Sequence, residues 1–339
     1  MINTKYKLVS PRNIETVYSN VDLNKGEVLV CPEKMSVCKA DIRYYYGMRH
    51  AGILRKKLPL VLIHECVGIV VYSGSSDFKT GDKVILLPNV SGESLICAEN
   101  YREDSKFMSS DLDGFMQEII SVPEKQLIQY EEISGEAAVL TEFVSVAVHA
   151  VSTCLEKYGD FLKNVAVWGD GGLGYLVSAL LKHFIPEVRL SVVGTHKHKL
   201  ELFRFADALY TVDELDMEEL KPDCIFECVG GEGAESAITQ MLEKVRAEGI
   251  IFLLGVSENP VSISTRTVLE KGITLIGRSR SGRKDFEMAY EIIKNDKKFR
   301  NRILKIVSEV IEIKQTSDID YAFERSRSAD FKIILDWKI

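Results

Sequence analysis

The run Val165-Ala-Val-Trp168, followed by Gly169-Asp-Gly-Gly-Leu-Gly174, limits what this chain can become more than any other segment. Four apolar residues in a row read as a buried strand. The glycines after them are spaced G-x-G-x-x-G, and Leu173, Leu176, Val177, Leu180, Leu181 and Phe184 then recur at helical intervals. Strand, glycine turn and one-faced helix in that order form the dinucleotide-binding fingerprint of a parallel sheet. In such a turn Gly169 allows the tight bend, Gly171 lets the backbone approach a pyrophosphate, and Gly174 lets helix and strand pack closely. Gly172 and Leu173 open the helix, whose free N–H groups and positive dipole end suit an anion. An ordinary glycine turn is the plainer reading, but it leaves both flanks unexplained.

The next strand bears on which dinucleotide. Arg189-Leu-Ser-Val-Val193 runs into Gly194-Thr195-His196-Lys197-His198-Lys199. A fold that prefers NAD carries an Asp or Glu here for the ribose 2′-hydroxyl. This strand end has no acid. It offers the Thr195 hydroxyl and the basic His196 and Lys197, so the expected cofactor is NADP(H), with no carboxylate to repel a 2′-phosphate. A solvated basic helix start is the competing reading.

The chain has 339 residues, enough for about two domains. Its 46% hydrophobic and 27% charged residues are ordinary for a soluble globular protein. A net charge of −7 argues against a nucleic-acid surface. The apolar stretch 137–151 is broken by Glu142 and His149 and is shorter than the ~20 residues of a membrane helix. Met1-Ile-Asn-Thr-Lys5 has no apolar signal core, so the expected location is the cytoplasm. Seven scattered cysteines then read as thiols or metal ligands, not as disulfides.

Residues up to about 135 hold short β runs: Val28–Cys31, Gly68–Tyr72, Lys83–Leu87 and Phe115–Ile120. From about 140 strands and helices alternate, with strands expected at Val165–Trp168, Leu190–Val193, Cys224–Cys228, Ile250–Gly255 and Thr274–Ile276. An amphipathic helix, Asp285–Lys294, and a final strand, Lys332–Leu335, follow. The expected organisation is a β-rich catalytic domain in two parts, 1–140 and 278–339, around a nucleotide-binding domain at 141–277. A cleft between domains is where a catalytic site is expected.

The β-rich part carries Cys38, in Ser36-Val-Cys-Lys-Ala-Asp41, and His64-Glu65 after Leu60-Val-Leu-Ile63; Glu142 sits in Thr141-Glu-Phe-Val-Ser-Val-Ala-Val-His-Ala150. Thiolate, imidazole and carboxylate are suitable zinc ligands, and three protein ligands leave a position open for catalysis. Each residue alone is unremarkable, since a lone Cys is usually a small buried hydrophobe.

Together these segments resemble the medium-chain zinc-dependent dehydrogenases. Ser36–Asp41 resembles G-I-C-x-x-D, and Ile63-His-Glu-Cys-Val-Gly68 resembles G-H-E-x-x-G. Asp113-Gly-Phe-Met-Gln-Glu118 resembles D-G-G-F-A-E, and Glu142-Phe-Val-Ser-Val-Ala-Val-His-Ala150 resembles E-P-L-S-V-A-V-H-A of the polyol branch. The motifs cover the chain in matching order. The resemblance implies an α/β fold with a Rossmann domain inserted in a GroES-like β-rich domain. It also implies one catalytic zinc on Cys38, His64 and either Glu142 or Glu65, with Asp41 supporting the histidine. Two departures stand out. The family's four-cysteine lobe for a structural zinc matches Pro88–Ser110, which holds only Cys97, so no structural zinc is expected. The family's relay Ser or Thr is Ala40 here, so the proton must travel through another group or water.

Within that family the chain is similar to the ribulose-5-phosphate reductases of CDP-ribitol synthesis. The similarity lies in Met35–Tyr45, Lys57-Leu-Pro59, Ala98-Glu-Asn-Tyr101, Phe226-Glu-Cys-Val-Gly-Gly231, Leu254–Glu258 and Ser279-Arg-Ser-Gly282. It implies NADPH-dependent reduction of a sugar phosphate for teichoic acid or capsule, a homodimer, and a ribitol-5-phosphate cytidylyltransferase as partner. A phosphorylated substrate needs cations, ideally Arg. Candidates are Arg280 and Arg283 in the basic run 278–284, and Arg43. A basic surface turn is the plainer reading of that run. The rivals are an NAD-dependent dehydrogenase of a free polyol and a zinc-less NADP-binding protein.

Overall fold

The computed structural model describes residues 1–21, 26–93, 97–215 and 220–339. The chain divides into two compact units, 1–145 with 281–339, and 146–280. The first division falls inside the helix Thr141–Tyr158.

The first unit is built on β-sheet. Its larger sheet runs in the order Leu127–Gln129, Lys83–Leu86, Glu65–Ser73, Glu27–Ser36, Lys332–Trp337, Val307–Ile313, and Ile120–Pro123 also pairs with Glu27–Ser36. The strand Lys332–Trp337 lies antiparallel to Glu27–Ser36 with Ile334 opposite Ser36, so the end of the chain completes the sheet beside Cys38. A hairpin, Ile2–Ser10 with Asn13–Asn20, joins Leu60–Val61 in a smaller sheet. Alternation sets the buried face, where Val28, Val30, Met35, Val70, Val84, Leu86, Ile333 and Leu335 share one core. Each such side chain contributes about 1.5–3 kcal/mol on burial.

The expected strand Phe115–Ile120 is not one; the strand is Ile120–Pro123. Phe115 and Met116 are fully buried in a loop whose N–H groups bond to the loop that carries His64: Gly114 N–H to the Val61 carbonyl, Phe115 N–H to Ile63 and Met116 N–H to Leu62. A Cβ on Gly114 would lie 2.4 Å from the Ile63 oxygen, so only glycine permits this approach. The expectation of an extended strand over these residues is thus corrected: Phe115 and Met116 are buried against a loop instead.

Elsewhere in this unit the segment around Glu99 is fastened to the helix Arg283–Asn295. One Glu99 oxygen accepts the Arg283 N–H at that helix's N-terminus, and the other accepts the Ser91 hydroxyl at 2.9 Å. An acid at this end satisfies an otherwise free N–H group and the helix dipole together.

The second unit is a six-stranded parallel sheet in the order Ala208–Thr211, Arg189–Gly194, Asn164–Trp168, Cys224–Glu227, Ile250–Leu253, Thr274–Gly277. In chain order that is 3-2-1-4-5-6, the doubly wound dinucleotide-binding topology. The five expected strands are present; Ala208–Thr211, a short half-exposed edge strand, went unread. The helix after the glycine turn, Gly172–Phe184, buries Leu176, Val177, Leu180 and Leu181. No helix among the described residues is long and apolar enough to cross a membrane.

Candidate active site

In the first unit Cys38, His64 and Glu65 come together, with their ligand atoms all within 4.8 Å of one another. Cys38 caps the helix Lys39–Tyr45 and His64 sits in the loop before the strand Glu65–Ser73. Asp41 locks the two segments to each other. Its carboxylate accepts the Cys38 N–H at 3.1 Å, the Ile63 N–H at 3.1 Å and the Ser109 hydroxyl at 2.7 Å, and it faces His64 Nδ1 at 3.5 Å. Ile63 is held at φ +71, a conformation a β-branched residue adopts only when its neighbours impose it. Burial alone would raise the Asp41 carboxyl, but His64, Ser109 and the Cys38 N–H outweigh it and hold the pKa down. For His64, burial opposes the charged ring, yet Asp41 and Cys38 raise its pKa well above the ordinary value. Proton and metal compete for such a histidine. With Nδ1 facing Asp41, Nε2 is the ring atom available to an ion.

This donor set fits zinc: a thiolate, an imidazole and a carboxylate at close quarters. The carboxylate oxygen Glu65 Oε2 is buried with no hydrogen-bond partner among the described residues. Its other oxygen accepts from Lys332 Nζ. Glu142 lies outside the three-residue cluster, on the first turn of the helix Thr141–Tyr158. Burial, then the Glu65 carboxylate, push the Glu142 carboxyl up to about 7.

Lys332 was read only as the first residue of a strand. It is buried, its ammonium lies 4.3 Å from the centre of the Phe143 ring, and it reaches the Val37 carbonyl at 3.4 Å as well as Glu65. A lysine opening the apolar run Lys-Ile-Ile-Leu is the signal that was available. Ser109, which bonds to Asp41, was likewise missed.

In the second unit Gly169 sits at φ +128, and a Cβ there would meet the Cys228 carbonyl at 2.9 Å. A Cβ on Gly174 would come within 2.0 Å of the Gly169 oxygen, whereas one on Gly171 would meet nothing within 4 Å. Gly171 is thus the open point of the turn, and Gly172 and Leu173 begin the helix. Glu227, buried at the carboxyl end of its strand, accepts the N–H groups of Val229, Gly230 and Gly255 and so ties two loops at that edge. It too was missed.

At the second strand's end one expectation is corrected. The sequence shows no acid there, yet Asp170 reaches over from the glycine turn. Its Oδ2 accepts the N–H groups of Thr195 at 2.8 Å and His196 at 2.7 Å, and lies 3.0 Å from His196 Nδ1. It fills the space left by Gly194, where a Cβ would stand 2.6 Å from the Asp170 Cβ. Burial would raise the Asp170 carboxyl, but the bonds from His196 and Thr195 lower it. Lys197 pairs with Glu214 on the surface.

The three arginines are differently placed. Arg43 is half-buried in the last turn of the helix Lys39–Tyr45. Arg280 is exposed, at φ +59, and ends the second unit. Arg283 is committed: Nη1 donates to the carbonyls of Lys125 at 2.8 Å and Leu127 at 3.1 Å, and Nε to Glu287 at 2.8 Å.

Residues 24–132 match the family model of the alcohol dehydrogenase GroES-like domain, and residues 135–337 that of the glucose dehydrogenase C-terminus. Ribulose-5-phosphate reductase 2 of Staphylococcus aureus is 41% identical over 342 residues, covering 100% of both chains. The ribulose-5-phosphate reductase of Bacillus spizizenii is 39% identical, again over 100% of both. The crystal structure of S. aureus TarJ in complex with NADPH matches with a TM-score of 0.89 at 37% identity over the whole of both chains. The chain belongs to the medium-chain zinc-dependent dehydrogenases, and is an oxidoreductase of the alcohol dehydrogenase type. Within that family, the relatives it matches end to end include ribulose-5-phosphate reductases at about 40% identity.

Proposed function

We propose that the protein reduces D-ribulose 5-phosphate to D-ribitol 5-phosphate with NADPH at a single catalytic zinc. The observation that carries the reading is the Cys38, His64 and Glu65 cluster in a chain alignable end to end with reductases of that substrate. A bound zinc supplies Lewis acidity toward a carbonyl oxygen, and a bound nicotinamide supplies hydride. Cys38 and His64 are the ligands common to both possible sets, and Glu142 or Glu65 supplies the third. Asp41 fixes the His64 ring so that Nε2 stays aimed at the ion. The turn Gly169–Gly174 would hold the dinucleotide phosphates at the helix N-terminus, where Gly171 leaves room for them. Ala40 has no hydroxyl, so the proton for the product oxygen would come through another group or through water.

Arg280, or else Arg43, is the proposed contact for the substrate phosphate; Arg283 has its Nε and Nη1 engaged on Glu287 and two backbone carbonyls. The product would feed CDP-ribitol synthesis for teichoic acid or capsule, in the cytoplasm, from a homodimer working with a ribitol-5-phosphate cytidylyltransferase. The deciding experiment follows NADPH oxidation with D-ribulose 5-phosphate and with D-ribulose, before chelation, after it, and after zinc is returned. Turnover of the phosphorylated sugar alone, lost and regained with zinc, is the expected result. Equal turnover of both sugars, or indifference to chelation, would reject the proposal.

A further inference from the structure

The strand end Gly194–His196 was read as basic, yet the side chain that organises it is an acid. Asp170 Oδ2 accepts two backbone N–H groups and also faces the His196 ring, and the side chain is only 12% exposed. A carboxylate so held is fixed in place. His196 is half exposed; its Nδ1 contacts Asp170 and the Thr195 hydroxyl, the latter at 2.9 Å. Its Nε2 has no partner among the described residues. Histidine with a carboxylate on one ring nitrogen has its orientation and tautomer set, and presents the other N–H outward.

We propose that Asp170 is a positioning residue that holds the His196 imidazole, Nδ1 inward and Nε2 outward, as a hydrogen-bond donor to the 2′-phosphate of NADP(H). This rests on the NADP(H) reading above and goes beyond it in naming how the phosphate is read. Three observations support it. Gly194 is required, because any Cβ would displace Asp170. The competing donor, Lys197, already faces Glu214. The Asp170 oxygen that holds the ring also holds the Thr195 N–H, so hydroxyl and ring are set by one group.

The test is titration of the purified protein with 2′,5′-ADP and with 5′-ADP, and with NADPH and NADH by fluorescence. His196→Gln should lower the preference for the 2′-phosphate about 10-fold, the scale of one charge-assisted hydrogen bond. Asp170→Asn, which keeps an acceptor oxygen for the backbone N–H groups, should lower the preference while leaving 5′-ADP binding nearly unchanged. Tighter NADPH binding in Asp170→Asn would show that the carboxylate repels the phosphate, and would overturn the proposal. So would a strong preference that ignores His196→Gln, although NADP(H) dependence would then stand. No preference for 2′,5′-ADP in the parent would remove the NADP(H) reading as well. Both variants are checked by thermal melting.

Discussion

Lys332 donates from its Nζ to the carboxylate of Glu65 inside the β-rich unit, where the two side chains are 8% and 0% exposed. Breaking a buried pair from one side leaves a charge without a partner and costs about 3–5 kcal/mol. Lys332→Met should therefore destabilise the metal-free protein by that order, and Glu65→Gln added to it should restore part of the loss. Urea unfolding of the two single variants and the double gives the coupling. Strictly additive losses would mean that the two groups do not stabilise each other.

Glu142 gives a pH dependence of defined sign. Burial and the Glu65 carboxylate push its carboxyl up to about 7, from 4.5. Between those values the folded metal-free chain retains a proton that the unfolded chain has released. This group's contribution therefore falls as pH rises from 4.5 to about 7 and is level beyond. The stability difference between the parent and Glu142→Gln, followed by urea midpoints across that window, should change by that sign. A difference that is flat, or that grows in the parent's favour with pH, would contradict it.

Metal content separates the ligands. Zinc near one per chain is expected; Cys38→Ser should bring it close to zero and Cys97→Ser should leave it alone. Of Glu65→Gln and Glu142→Gln, the one that lowers affinity more marks the third ligand. Two zinc ions per chain would refute the single-site reading.

Placing an acid at the strand end does not by itself convert the cofactor. In Gly194→Asp the new Cβ would stand 2.6 Å from the Asp170 Cβ. The single variant should therefore bind both dinucleotides poorly, while Gly194→Asp with Asp170→Gly should favour NADH. Ratios of kcat/KM for NADPH and NADH measure this. An efficient NADH-dependent single variant would show that Asp170 moves aside without cost.

The arginines should part company. Arg283→Ala removes bonds to two carbonyls and to Glu287, so it should lower the Tm with little change in KM for ribulose 5-phosphate. Arg280→Ala should lower kcat/KM for that substrate by roughly 10- to 150-fold, the worth of one charged contact to phosphate. The reverse pattern would exchange their roles.

What the chain reveals unaided follows from range. The glycine turn, its flanking strand and helix, and five parallel strands are local patterns of period and spacing. The gathering of Cys38, His64 and Glu65 was reached through motif resemblance, because no periodicity relates residue 38 to residue 64. Asp170 escaped because its effect is exerted 25 and 26 residues away, across two strands that only the sheet makes neighbours. Phe115–Ile120 misled because burial against a loop and burial in a sheet select the same side chains. Lys332 pairs with Glu65 from 267 residues further along the chain, beyond any local pattern.

Glu99 holds its segment to the helix Arg283–Asn295 through a carboxylate, a backbone N–H and a serine hydroxyl. A clasp of that kind has no thiolate for an oxidant to attack and no ion for a chelator to remove. If zinc is held at Cys38 and His64 as proposed, its removal should leave these contacts standing, so that inactivation by chelation would be a matter of occupancy rather than of unfolding.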